Sequence, residues 1–331
     1  MKLLTVGITG LGACVPDRVL TNADLEAMVD TTDEWIRTRT GIRERRICTE
    51  AEATSDLALK AAQQALASAG VKPEELDLIV HATMTPDRLW PSTGSTVQGR
   101  LGAVNAGAFD VNAACSGFIY ALAVGAQMVR TGLYRKVLVI GADVVTKFLD
   151  YTDRQICVLF GDGAGAVLLE PVPEQDEGLI SFFLGSDGTR SQVMYIPAGG
   201  SRIPPSHHAL DEKLNFPVMD GFETFQFATW AMMDSIQKAL AHSPYQIQDV
   251  NLIVPHQANI RIIQTAARWL SVPMEKFSVT IDRYGNTVAA SIPLSLYDEV
   301  RAGRLQRGDL VALTSFGAGL TWASALLRWT I

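Results

Sequence analysis

The sequence predicts an α/β protein made of two similar βα halves, and three observations carry that expectation. Short apolar runs of strand length alternate with longer stretches of helical period along the whole chain. The stretch Glu75-Leu76-Asp77-Leu78-Ile79-Val80 is echoed by Asp249-Val250-Asn251-Leu252-Ile253-Val254. The spacing repeats as well: Leu78 to Leu138 and Leu252 to Ala312 each span 60 positions, a fixed internal offset that marks a duplication.

Strand-like runs fall at residues 4–9, 78–81, 137–141, 164–169, 252–255, 277–280 and 310–314. The first, headed by Met1-Lys2-Leu3-Leu4, is cut off by Gly10, Gly12 and Pro16 before it reaches the length of a signal peptide or a membrane span, so it reads as a strand. Amphipathic helices over 57–69 and 228–241 precede the two echoed strands, and each echo is followed by a second short strand, Phe109-Asp110-Val111 in one copy and Phe277-Ser278-Val279 in the other. The acidic, proline-containing stretch 170–178 is the natural join, dividing the chain into halves of 1–173 and 174–331.

With 331 residues, 48% hydrophobic and 19% charged, the chain is long and apolar enough for a double domain. Its net charge of -7 excludes the broad basic face that nucleic acid requires. The four cysteines, Cys14, Cys48, Cys115 and Cys157, have no Cys-x-x-Cys spacing. They suggest neither a disulfide framework nor a metal site, and a reducing cytoplasm suits them.

The stretch Phe109 to Tyr120 delivers Cys115 to the first turn of a helix running from Ser116 to about Thr131. Phe118, Ile119, Leu122, Val124, Ala126 and Met128 point all round that helix, so its N-terminus lies deep inside the protein. Free N–H groups and the helix dipole there favour a thiolate and lower the cysteine pKa. An inert buried cysteine is the alternative. In the second half, His256 follows the strand 252–255, and Gly285-Asn286 follows the next strand at the place equivalent to the cysteine segment. Leu78 to Cys115 spans 37 positions and Leu252 to Asn286 spans 34. Taken singly, His256 reads equally well as a core or cap histidine and Gly-Asn as a turn. Two halves packed by pseudo-twofold symmetry bring Cys, His and Asn together. The glycine patches Gly10-Leu11-Gly12 and Gly161-Asp162-Gly163-Ala164-Gly165 lack the Lys-Ser/Thr of a phosphate loop and suit close backbone packing instead.

The chain resembles the β-ketoacyl-acyl-carrier-protein synthase III enzymes of the thiolase superfamily, essentially end to end. The motifs are Thr32-Asp33-Glu34-Trp35-Ile36 with Arg39-Thr40-Gly41-Ile42, Ala114-Cys115-Ser116-Gly117-Phe118, Phe160-Gly161-Asp162-Gly163-Ala164-Gly165-Ala166, Pro255-His256-Gln257-Ala258-Asn259, Gly285-Asn286-Thr287, and Phe316-Gly317-Ala318-Gly319-Leu320-Thr321-Trp322. Asn286, where a second histidine stands in the elongating synthases, separates the chain from those relatives.

The resemblance implies a thiolase-like fold in five layers, αβαβα, and an acyltransferase that initiates fatty acid synthesis. A short acyl group, acetyl above all, passes from CoA to Cys115 and is condensed with decarboxylating malonyl-acyl-carrier protein. His256 and Asn286 donate to the enolate oxygen; the backbone N–H groups of Cys115 and Ala318 form the oxyanion hole, Ala318 standing where glycine is usual. Trp35 is similar to the tryptophan that stacks on the CoA adenine, with Arg154 on its other face. Arg39 and Arg261 match phosphate partners, and Thr31 and Asn259 match channel contacts. Trp90 matches the residue that closes the acyl pocket across a homodimer interface. Arg261 and Arg268 remain for carrier docking, while Phe222 and Gln226 stand at usually basic positions, leaving a specialised secondary-metabolism role or the use of malonyl-CoA open. No cofactor, metal, nucleic acid or membrane is implied, acyl-CoA being a substrate. The same Cys-His-Asn set also fits a thiol hydrolase, and a non-catalytic acyl-carrier scaffold is a third reading.

Overall fold

Strand β1 (Val6–Cys14) opens the computed structural model, which describes residues 3–331; Met1 and Lys2, at the head of the first predicted run, lie outside the described residues. In chain order follow α1 (Asp33–Thr40), α2 (Thr54–Ala69), β2 (Leu78–Ala82), α3 (Thr93–Leu101), β3 (Gly107–Val111), α4 (Gly117–Arg130), β4 (Val137–Asp143) and β5 (Gly163–Pro171). The second half supplies β6 (Leu179–Ser186), α5 (Gly221–Ala241), β7 (Leu252–Pro255), α6 (Ile260–Leu270), α7 (Ser291–Arg301), β8 (Leu310–Gly317) and β9 (Thr321–Arg328).

The two larger sheets have orders β1-β5-β4-β2-β3 and β7-β8-β9-β6. Read from the other edge, the second repeats four of the first sheet's five strands, without a counterpart of β3. β1 and β6 are antiparallel to β5 and β9, which are antiparallel to β4 and β8, which are parallel to β2 and β7. Leu78 pairs with Val137 and Leu252 with Val311, the same offset in both halves.

Five layers result. Helices α2 and α3 cover the outer face of the first sheet, α4 and α7 lie between the sheets, and α5, with α6 packed beside it, covers the second. The central layer joins Val80, Phe118, Val139, Val254, Leu313 and Ala325 in one apolar cluster drawn from both halves. Phe118, Ile119 and Leu122 of α4 are fully buried, each stabilising the fold by roughly 1.5–3 kcal/mol. Burial of α4 stops short of complete, since Gln127 is exposed.

Several elements depart from the sequence reading. β1 runs past residue 9 through both glycines. A Cβ at Gly10 would stand 2.3 Å from the Ala65 carbonyl oxygen, and one at Gly12 2.2 Å from that of Ala61, so glycine here admits α2 against the strand rather than ending it. β6 and β9 were not expected. Residues 323–327 of β9 are all buried, between α4 on one face and α5 on the other, and a strand covered on both faces shows no alternation. The expected strand at 277–280 shrinks to a single bridge between Ile253 and Phe277. The Gln257 side chain satisfies the backbone there instead: its Nε2 donates to the Ser278 carbonyl at 3.1 Å, and its Oε1 accepts from the Thr280 and Ile281 N–H groups at 3.0 and 3.1 Å.

Candidate active site

Cys115 sits in a single helical turn (Ala114–Ser116) between β3 and α4, entered through Ala114 at φ +47°. The second half clamps this turn. Ser315 Oγ on β8 donates to the Cys115 carbonyl at 2.7 Å, and Thr321 Oγ1 on β9 donates to that of Ala113 at 3.0 Å. Gly317 approaches so closely that a Cβ there would lie 2.7 Å from the Cys115 amide nitrogen. Burial, with a smaller contribution from the Asp143 carboxylate, pushes the Cys115 thiol up. That is opposite to the shift expected from the helix N-terminus, because here desolvation of the thiolate outweighs the attraction of nearby dipoles.

His256 follows β7 and extends its ladder, its N–H donating to the Thr314 carbonyl at 2.8 Å. The side chain is 1% exposed, and burial pushes its pKa down to about 3, so the imidazole is neutral. Its Nδ1 lies 3.0 Å from Ser291 Oγ, its ring meets Phe316 edge to face at 5.4 Å, and Nε2 is buried without a hydrogen-bond partner.

Asn286 is held by the first half. Its N–H donates to the Leu159 carbonyl at 2.8 Å, and its carbonyl accepts from the Gly161 N–H at 3.0 Å. The glycine-rich segment 160–162 thus braces the asparagine loop. Asn286 Oδ1 accepts from the Val288 N–H at 2.9 Å, which turns the amide NH2 the other way.

Cys115, His256, Asn286 and Asn259 line one cavity of about 100 Å³. Cys115 also borders a second, larger cavity of about 510 Å³, lined by Met84, Val145, Ile156, Phe160 and Ala318 among others. The cysteine thus stands between a narrow chamber that holds His256 and Asn286 and a wider one, both lined largely by apolar side chains. Ala318 has no positive φ, so its side chain is accommodated without strain where glycine is usual.

Apart from Asn259, the remaining predicted residues lie outside these two cavities. Trp35, Arg39 and Arg154 line a surface hollow of about 360 Å³. The guanidinium carbons of Arg39 and Arg154 stand 5.0 and 5.4 Å from the Trp35 ring centroid, within cation–π range. Thr31, just before α1, has a buried Oγ1 without a partner. Asn259 caps α6, its side chain accepting from the Arg261 N–H at 2.9 Å. Arg261 and Arg268 are exposed on α6, Arg261 with its guanidinium 6.0 Å from the Phe225 ring. Phe222, at the start of α5, is 72% exposed. Trp90 is away from both cavities and 80% exposed.

The family models for 3-oxoacyl-[acyl-carrier-protein] synthase III match residues 109–188 and, as its C-terminal part, 240–329. The β-ketoacyl-[acyl-carrier-protein] synthase III of Symbiobacterium thermophilum is 51% identical over 329 residues, covering 99% of each chain. The chain belongs to this synthase III family. Among solved structures, the synthase III of Thermus thermophilus superposes with a TM-score of 0.91 at 48% identity, covering 98% of this chain and 99% of that one. The priming β-ketosynthase of the R1128 polyketide pathway reaches the same TM-score at 36% identity, covering 99% and 97%. The thiolase-like α/β fold expected from the motifs is the fold of these synthase III structures.

Residues that sequence reasoning passed over include Asp143, Ser291 and Ser315. Asp143 gave no signal beyond following a strand. Ser291 stands four positions after Thr287, the spacing that lets hydroxyls meet across a helical turn.

Proposed function

We propose that the chain transfers a short acyl group from CoA to Cys115 and condenses it with malonyl-acyl-carrier protein, the initiating step of fatty acid synthesis. The carrying observation is that Cys115, from one half, shares a buried cavity with His256 and Asn286 from the other. The Cys115 sulfur attacks the thioester, forming the acyl–sulfur bond as CoA leaves as the thiol. The backbone N–H groups of Cys115 and Ala318 stabilise the tetrahedral oxyanion. The malonyl group then loses CO2. The electron pair left at its α-carbon is held as an enolate by N–H donors from His256 Nε2 and Asn286 Nδ2. Attack on the acyl carbon makes the new C–C bond and returns the cysteine sulfur. Two neutral donors suit this step, whereas a carboxylate at either place would repel the developing charge.

Trp35, Arg39 and Arg154 form the adenine and phosphate end of the CoA site, Thr31, Asn259 and Arg261 its approach to the cavity, and Arg261 with Arg268 the carrier-docking face. Phe222 and Gln226 at this face support a second reading within the family, the priming of a secondary-metabolism product. Membership of a condensing family favours synthase over thiol hydrolase and over a non-catalytic scaffold.

A homodimer completes this reading. β3 is an open sheet edge, and such edges invite pairing. The segment after Trp90 is tied to it, the Thr93 and Gly94 N–H groups donating to Asp110 at 2.7 and 2.6 Å. Leu89, Trp90 and Val104 present exposed apolar surface nearby. A second copy paired there brings its Trp90 to the wide cavity, which in one protomer far exceeds the needs of an acetyl group. The boundary between halves is placed at 173/174, in the link from β5 to β6. Four free cysteines support a reducing cytoplasm, and the chemistry calls for no cofactor. Among the described residues no metal-holding cluster occurs, and no helix is long and apolar enough to cross a membrane.

Intact mass spectrometry with a panel of acyl-CoAs, followed by malonyl-acyl-carrier protein, tests the proposal. Acyl adducts on the wild type but not on Cys115→Ala, then CO2 release and a 3-oxoacyl product, are expected. Free acid and thiol without condensation would overturn it.

A further inference from the structure

His256 has two ring nitrogens and, when neutral, one N–H between them. Which nitrogen carries the hydrogen decides what the cavity is offered. Nδ1 faces Ser291 Oγ at 3.0 Å, and Thr287 Oγ1 donates to that same Ser291 oxygen at 3.3 Å. Both hydroxyl residues are 1% exposed, so bulk water does not compete for these bonds.

A serine hydroxyl has one hydrogen to give and lone pairs to accept with. Ser291 Oγ already accepts from Thr287. Its own hydrogen then requires an acceptor, and among the described residues Nδ1 of His256 is the one recorded within reach. A donor on Ser291 makes Nδ1 the acceptor and moves the ring hydrogen to Nε2. That atom is buried, lacks a partner, and belongs to a ring lining the cavity of Cys115 and Asn286.

The same short turn governs the neighbouring donor. Val288 N–H fixes Asn286 Oδ1 at 2.9 Å, and the Ala290 N–H closes the turn on the Thr287 carbonyl at 3.0 Å. Residues 286–291 thereby orient one donor directly and the other through two hydroxyls.

We propose that Thr287 and Ser291 are positioning residues, forming a one-way hydroxyl chain into Nδ1 that holds His256 as its Nε2–H tautomer for the condensation step. The inference rests on the reading of His256 as a donor to the enolate oxygen. The other tautomer would aim a lone pair at that oxygen just as its negative charge builds, replacing attraction by repulsion. Acylation of Cys115 draws on backbone amides and does not need the chain.

The test uses the full-length enzyme and the variants Ser291→Ala, Thr287→Val, Thr287→Ser, His256→Asn and His256→Ala. The protein contains 5 histidines, so [15N]histidine labelling gives few ring signals, and His256→Asn assigns the relevant pair. The wild type is expected to show protonated Nε2 and unprotonated Nδ1. Ser291→Ala should lose that pattern and lower kcat for condensation by roughly 10- to 100-fold, up to the loss of one oxyanion donor. KM for malonyl-acyl-carrier protein and the rate of Cys115 acylation should change less than about twofold, on the scale of a contact not made in that step. Thr287→Val should fall between, and Thr287→Ser should restore the wild-type values. A hydrogen on Nδ1 in the wild type would overturn the proposal, as would a Ser291→Ala enzyme with unchanged kcat or with acylation and condensation reduced alike. Full condensation by His256→Ala, which leaves no side-chain donor at that position, would instead remove the donor role itself, and the ring spectrum separates that failure from failure of the hydroxyl chain.

Discussion

Asp143 Oδ2 accepts a hydrogen bond from the backbone N–H of Ala289 at 3.1 Å, tying the end of β4 in the first half to the turn that carries Asn286 in the second. The other oxygen, Oδ1, gathers the Met84 and Thr85 N–H groups at 2.9 and 3.1 Å and the Thr83 and Thr85 hydroxyls at 3.0 and 2.9 Å. One buried carboxylate therefore joins the wall of the wide cavity to the asparagine loop. Gly141, two residues earlier, lets the segments close: a Cβ there would stand 2.4 Å from the Ala289 carbonyl oxygen.

Asp143→Ala should strand these donors without acceptors. At roughly 1–3 kcal/mol for each buried group left unpaired, partly relieved by relaxation, the expected loss is about 3–5 kcal/mol by urea unfolding. A loss below about 1 kcal/mol would show that water or local rearrangement replaces the carboxylate.

Gly317→Ala should reach the nucleophile directly. The added methyl would meet the Cys115 amide nitrogen at 2.7 Å and its Cβ at 3.1 Å. A backbone nitrogen and Cβ atoms fixed to the backbone leave no flexible neighbour to yield, so about 1–3 kcal/mol of stability should be lost and acylation slowed by about 100-fold through displacement of the sulfur. Near-normal acylation, followed by mass spectrometry, would contradict this packing.

Acid should destabilise the fold through His256. Its folded pKa lies near 3, below the unfolded value of about 6.5. Between these values the unfolded chain binds a proton that the folded chain refuses, so stability falls as pH falls through 6.5, by up to about 1.4 kcal/mol per unit from this residue. Above 6.5 both states are neutral and the contribution is flat. Urea titrations from pH 7 to 4 should therefore show a shallower acid slope in His256→Asn than in the wild type; equal slopes would refute the assignment.

Trp90→Thr should widen the acyl range. At about 0.8 kcal/mol per buried methylene, opening the wide cavity should raise kcat/KM for hexanoyl-CoA relative to acetyl-CoA by at least about tenfold. An unchanged ratio would mean that Trp90 does not limit the chain.

Much of the architecture was legible because the repeat was. The equal spacing of 78–138 and 252–312 located four strands and put Cys115 and Asn286 at equivalent places, with His256 just past the strand 252–255. β9 escaped notice because burial on both faces removes the period on which a strand is recognised, whereas β6 is a half-exposed edge strand whose burial alternates while its run of Leu179, Ile180, Phe182, Phe183 and Leu184 does not. The strand expected at 277–280 failed for a different reason: its residues have strand-like composition, but Gln257 takes up their backbone groups. The direction of the Cys115 shift differs because the sequence shows a buried helix N-terminus but not how far desolvation there outweighs the helix dipole, nor the approach of Asp143.

By itself the sequence determined the duplication, the family and the candidates for the reacting groups, since these follow from residue type and spacing along the chain. Only the tertiary structure decided how those groups are oriented. The clamps of Ser315 and Gly317 on Cys115, of Gly161 on Asn286 and of Asp143 on the asparagine loop all cross from one half to the other. Hydrogen-bond direction and exclusion of water depend on such contacts between distant residues, and neither is encoded in any local pattern.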